Sequence, residues 1–146
     1  MIPARVLRPK VSKRATILLG GQLGDSVEKL LADGSTVMLP DVRFTGELKM
    51  NWHLNAVIWG RPEAGMIAHD VKRAVDHLGV DQARVVASGD LGIAALLAGI
   101  LDPRVSVAAD DLKSYRDGRV YPVIPNILRV GDVPEIAKLL GARLEN

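Results

Sequence analysis

Four short apolar runs, "ATILL" (residues 15–19), "STVMLP" (Ser35–Pro40), "ARVVAS" (Ala83–Ser88) and "VSVAAD" (Val105–Asp110), are separated by segments of helical periodicity. Runs of this length, rich in branched residues and followed by turn formers, suit strands buried on both faces. Strands that alternate with helices through short links fold as a parallel sheet, because right-handed crossovers lay the helices over it. The pattern therefore predicts an α/β fold: a three-layer α/β/α sandwich with a mostly parallel sheet.

The first run ends in Gly20 and Gly21, a turn. Asp25 is the expected N-cap of a helix in which Val27, Leu30 and Leu31 share one face, and Gly34 ends it. Residues 41–62 are the least regular part, with Gly46, Gly60 and Pro62 and a short helix expected over residues 52–58. From Glu63 onward Ile67, Val71, Ala74, Val75 and Leu78 recur at helical spacing up to Gly79, with Asp70, Lys72, Arg73 and Asp76 facing elsewhere. Residues 91–101 make the next helix, and residues 133–140 the last, started by Asp132 with Pro134 in its first turn. Residues 4–11 supply an antiparallel strand that Pro9 confines to an edge.

With 146 residues, 48% of them hydrophobic, the chain is expected to form a single domain over residues 1–146. No apolar run approaches the about 20 residues of a membrane span, and the basic N-terminus lacks the apolar region of a signal peptide. The absence of cysteine removes disulfides, thiolate nucleophiles and zinc–thiolate sites together, and accords with a cytoplasmic protein. Arg5, Arg8, Lys10, Lys13 and Arg14 cluster near the start. The aromatics Phe44, Trp52, Trp59, Tyr115 and Tyr121 are scattered, so no nucleic-acid platform is expected.

The stretch "VVASGDLGIAALLAGILDPRV" reads as a strand, a turn and a small-residue helix, with Asp90 in the turn. Standing before a helix over residues 91–101, the Asp90 carboxylate would act as an N-cap and meet the positive end of the helix dipole. Ser88 reads as a packing or capping hydroxyl. Asp41, Asp110 and Asp111 stand at strand ends, where converging carboxylates would suit Mg²⁺, yet no phosphate-loop or D-x-D spacing accompanies them. "GGQLGD" falls short of a dinucleotide fingerprint. No metal and no cofactor is expected.

Taken in order, "ATILLGG", "GSTVMLPDVRFTGE", "HDVKRAVDHLGVDQARVVASGDLG" and "LDPRV" resemble the successive landmarks of the α/β-hydrolases, particularly the acetyl-xylan esterase and dienelactone-hydrolase-like branch, across residues 15–140. The resemblance implies a G-x-S-x-G turn for the nucleophile and an oxyanion loop after the first central strand. Gly20 and Gly21 match that loop, with Leu19 where a histidine commonly stands. Aligned on Gly92, Asp90 takes the nucleophile position, Ser88 replaces the first glycine, and Leu91 joins Gly20 and Gly21 as an oxyanion residue. Aspartate serves as nucleophile in haloalkane dehalogenases and epoxide hydrolases of this fold, but a base histidine is still needed.

Family members continue past the equivalent of "GDVPEIAKLLGAR" into two strands that bring the catalytic acid and histidine. Here no histidine follows His77 and the sequence stops at Asn146, so a C-terminally shortened domain without the standard triad is expected. His69 and His77 read as solvated residues on the polar side of a helix, and His53, in the irregular segment, is the remaining candidate base. By analogy the sheet order is second run, first, third, fourth, which leaves "VSVAAD" as an open edge unless residues 113–129 cover it. Such an edge invites a second copy, and a homodimer is expected. Two readings follow: a catalytically degenerate, self-associating binding or structural module, or an esterase-like hydrolase using Asp90 or Ser88 with a histidine from an unusual position. A small-molecule ester is a possible ligand in either; neither nucleic acid nor membrane is an expected partner.

Overall fold

Strands β1 (Ala4–Leu7), β2 (Arg14–Leu18), β3 (Ser35–Pro40), β4 (Ala83–Ser88), β5 (Val105–Asp110) and β6 (Leu144–Glu145) form one sheet in the order β1-β3-β2-β4-β5-β6. The structure, a computed structural model, describes residues 2–12, 14–21, 24–49, 53–118 and 121–145, with the backbone alone at 53 and 54. Every pairing is parallel except β1 with β3, which is antiparallel and stops before Pro9. The helices are α1 (Asp25–Ala32), α2 (His53–Ile58), α3 (Glu63–Leu78), α4 (Gly89–Leu101) and α5 (Val133–Lys138). The α/β architecture expected from the apolar runs is the one observed, with helices on both sides of the sheet.

The main core joins the sheet to α3, α4 and α5 through Ile17, Val85, Val105 and Val107 on the strands and Ile67, Val71, Val75, Ile93 and Leu96 on the helices. Helix α4 is apolar nearly all round because it is buried between α3 and the sheet and also meets α5. Its close seat depends on Gly99, where a Cβ would stand 2.7 Å from Leu140 Cδ2 and 2.9 Å from Val107 Cγ2. Across the sheet a smaller cluster of Leu18, Val27, Val37 and Leu39 seats α1 over β2 and β3. That second layer is partial: in β4 and β5 the residues alternating with the core, Arg84, Val86, Ser106 and Ala108, are only half-buried.

Several boundaries differ from the sequence expectation. Gly24, not Asp25, is the N-cap position of α1, and Asp25 lies in its first turn. Helix α5 ends at Lys138, and Leu140 leads into a 3-10 turn. Trp52 lies outside the described residues; the short helix is observed from His53. The open edge expected at "VSVAAD" is also corrected, since β6 pairs with Val107 and Ala108 of β5. Two contacts explain why the C-terminal segment docks there. Glu145 takes 2.6 and 2.9 Å hydrogen bonds from Arg84 Nε and Ser106 Oγ. Arg143 Nη1 donates to the carbonyls of Gly99, Asp102 and Val105 at 2.5, 3.2 and 3.1 Å, joining this segment to the end of α4 and the start of β5.

Candidate functional site at the strand-to-helix turn

The four parallel strands β2 to β5 end on the same side of the sheet, where α/β folds place their sites. At the end of β4 the chain turns sharply into α4. Ser88 is the N-cap residue, extended at φ −134° and ψ 153°, exposed, and its hydroxyl makes no capping hydrogen bond. Gly89 follows with φ +55°, and α4 begins there rather than at Leu91. An L side chain in the left-handed region costs roughly 1–2 kcal/mol, which a glycine avoids.

This geometry corrects both roles given to Asp90. It is not the N-cap, because the helix starts one residue before it, and it is not the corner residue, because the positive φ belongs to Gly89. The residue at the positive-φ corner is a glycine. Asp90 lies in the first helical turn, exposed, where its charge complements the helix dipole. A Cβ built on Gly89 meets nothing nearer than Asp111 Oδ2 at 3.8 Å, so the corner is open.

Gly89 and Asp90 line an open cleft of about 780 Å³ with Asp111, Lys113, Ser114 and Tyr121 among its walls. Its lining residue Ser114 is anchored to Asp132, which is buried and N-caps α5 in a capping box with Glu135. The Asp132 carboxylate accepts hydrogen bonds from Ser114 Oγ, from Tyr115 N at 2.8 Å, from Arg116 N at 3.2 Å and from Val133 N at 2.7 Å. Burial pushes its pKa up, but the hydrogen bonds from Ser114, Tyr115, Val133 and Arg116 outweigh that and hold it well below the usual carboxylate range. Tyr115 donates its hydroxyl to Pro122 O at 2.5 Å, and burial together with the Asp132 charge raises its pKa to about 12. These groups anchor the wall of the cleft and are spent on one another.

The Gly20–Gly21 turn lies at the end of β2 and lines a separate cleft of about 610 Å³ with Arg5, Asp41, Thr45 and Glu47. Gly20 has φ +68°, and a Cβ there would stand 2.8 Å from Leu91 Cδ1. The Leu91 side chain thus lies directly over the Gly20 turn. The neighbouring "PDVRFTGE" loop is structural: Arg43 grips the buried Asp70 of α3 through Nε at 3.0 Å and Nη2 at 2.7 Å, and Asp41 accepts from Glu47 N at 3.3 Å.

The histidines are not brought to Asp90 by anything the structure describes. His69 and His77 are exposed on α3 and flank a shallow depression with Arg73 and Asp76. His53 opens α2, but its side chain lies outside the described residues. Asp41 follows β3 whereas Asp110 ends β5 and Asp111 follows it, and two strands intervene, a separation of roughly 14 Å at the usual strand spacing. They do not converge on one ion, and among the described residues no cluster of three metal-ligating side chains forms. No described helix is long and apolar enough to cross a membrane.

Gly89 was legible in principle, since a glycine between a β-branched strand and a helix is the residue best suited to a positive-φ corner. Lys113, Ser114 and Tyr121 carried no such signal, because a loop following β5 brings them to the cleft.

No family model and no curated protein matches the chain. Solved structures do. It is similar to an α/β-hydrolase from a metagenome of Mar Chica lagoon sediments, at 17% identity and TM-score 0.53, over 77% of this chain and 52% of that one. An esterase from Exiguobacterium antarcticum matches at 16% identity and TM-score 0.55, over 76% of this chain and 41% of the esterase. Epoxide hydrolase A from Mycobacterium thermoresistibile matches at 19% identity and TM-score 0.55, over 74% of this chain and 35% of the hydrolase. The chain has the core of the α/β-hydrolase fold, and it spans about half or less of the length of these structures.

Proposed function

We propose that residues 1–146 form one catalytically degenerate α/β-hydrolase-like domain, a cytoplasmic binding or structural module that associates with itself. The observation that carries this reading is Gly89 at the strained corner, since a glycine there leaves the turn with its shape and without a nucleophile. A small ester, bound in the cleft beside Gly89 and released intact, is the ligand class that the fold and the size of the cleft favour. Self-association is supported by β6, which pairs along only two residues of β5, and by the half-covered sheet face at Arg84, Val86, Ser106 and Ala108.

An esterase-like hydrolase using Asp90 or Ser88 is the alternative, favoured by the position of Asp90 on the cleft wall. Assays with short p-nitrophenyl esters separate the two. The module reading expects no turnover that Asp90→Asn or Ser88→Ala abolishes; a rate lost in either variant would sink it. Light scattering on the purified chain is expected to give a dimer mass, and a monomer at micromolar concentration removes self-association from the proposal.

A further inference from the structure

The two strand-end clefts share no described lining residue: Gly20 and Gly21 belong to one, Gly89 and Asp90 to the other. Leu91, which lines neither, follows Asp90 of the one cleft and touches Gly20 of the other, its Cδ1 standing 2.8 Å from the place a Cβ on Gly20 would take. Leu91 is half-buried and packed against the main core, so its side chain is held over the glycine instead of swinging in solvent. In folds of this kind the loop after the first central strand and the residue after the corner donate backbone N–H groups to one oxyanion. That oxyanion would have to occupy the space between the Gly20 turn and the start of α4.

We infer that Leu91 partitions this face of the molecule, keeping the two clefts apart and shutting an oxyanion out of the Gly20 turn. Gly89 removes the nucleophile, and Leu91 independently removes the electrostatic half of the chemistry. The cleft beside Gly89 therefore receives its ligand alone, without access to the Gly20 turn. This deepens the reading of the turn as non-catalytic and rests on it.

The test installs a nucleophile and asks whether Leu91 obstructs it. In Gly89→Cys the introduced thiolate, its proton lost to buffer, attacks the carbonyl of p-nitrophenyl acetate. The ester C–O bond breaks, p-nitrophenolate leaves with the electron pair, and the acetyl group stays on sulfur as a thioester. Single-turnover release is compared in Gly89→Cys, Gly89→Cys with Leu91→Gly, and Gly89→Cys with Leu91→Ala, the last keeping a good helix former in α4. Each rate is normalised to the thiol's reaction with an aromatic disulfide that needs no oxyanion site. Both double variants are expected to acylate faster, by about a hundredfold for Leu91→Gly, the scale of one oxyanion donor regained. Normalised rates that do not rise in either double variant overturn the role of Leu91 while the non-catalytic reading stands. Ester turnover by the unsubstituted chain that Asp90→Asn abolishes overturns both.

Discussion

Gly89 faces Asp111 across an open corner: a Cβ on the glycine would stand 3.8 Å from the Asp111 carboxylate and meet nothing closer. The cost of a side chain there is therefore backbone strain at φ +55° and not collision. Gly89→Ala is expected to lose about 1–2 kcal/mol in urea unfolding with the denaturant slope unchanged. A neutral or stabilising result would show that the corner is not held in the left-handed region.

Gly99 presents the opposite case. It has no positive φ, yet its α-carbon is pressed against Leu140 and Val107, the latter a stiff β-branched neighbour. Gly99→Val is expected to cost about 1–3 kcal/mol by overpacking, despite replacing a poor helix former. Thermal melts of the two glycine variants would separate strain from packing when Leu140→Ala is added, since only Gly99→Val should be partly relieved.

The C-terminal segment is fastened by two contacts of unequal weight. Arg143 Nη1 shares its two hydrogens among three carbonyls, of which Asp102 O also accepts from Val105 N at 3.1 Å, so Arg143→Met is expected to cost about 1–3 kcal/mol, chiefly through the lost charge-assisted bonds to Gly99 O and Val105 O. Arg84 and Glu145 form an ion pair between half-exposed side chains, and a double-mutant cycle is expected to return a coupling of no more than about 1 kcal/mol. Hydrogen exchange at Leu144 and Glu145 should accelerate strongly in Arg143→Met and weakly in Arg84→Met. The reverse order would mean that the ion pair, not the arginine clamp, seats β6.

Asp132 makes the wall of the Gly89 cleft sensitive to acid. Its carboxyl in the folded chain titrates below the ordinary value, so its contribution to stability is fully present above the unfolded pKa of about 3.9 and is lost as pH falls toward the folded pKa. Asp132→Asn is expected to melt below the unsubstituted chain at neutral pH, and the gap should narrow as the pH falls below about 4. A gap that stays constant across the acid range would place the role of Asp132 in packing alone.

The sheet was legible in the sequence because four apolar runs of strand length alternate with helical periodicities, and that pattern admits few topologies. The strand order β3-β2-β4-β5 follows from it by analogy. The candidate turn was legible only in outline. Asp90 stands out in the sequence because carboxylates carry chemistry, whereas the corner itself is Gly89, a residue type that permits a positive φ without requiring one. The role of Leu91 over Gly20 was hidden for a different reason, since it depends on how β2 and α4 approach one another. The docking of Leu144 and Glu145 on β5 likewise depends on Arg143 reaching carbonyls at the end of α4 and the start of β5, about forty residues away in sequence.

The central claim is that this turn holds no nucleophile, and the most direct measurement is the pre-steady-state release of p-nitrophenolate when the unsubstituted chain is mixed with p-nitrophenyl acetate. A turn-borne nucleophile without a base could still acylate once, so the burst is more searching than turnover. The account predicts no burst that depends on the turn, with traces unchanged by Asp90→Asn and by Ser88→Ala. A burst approaching one equivalent per chain that vanishes in either variant would contradict it.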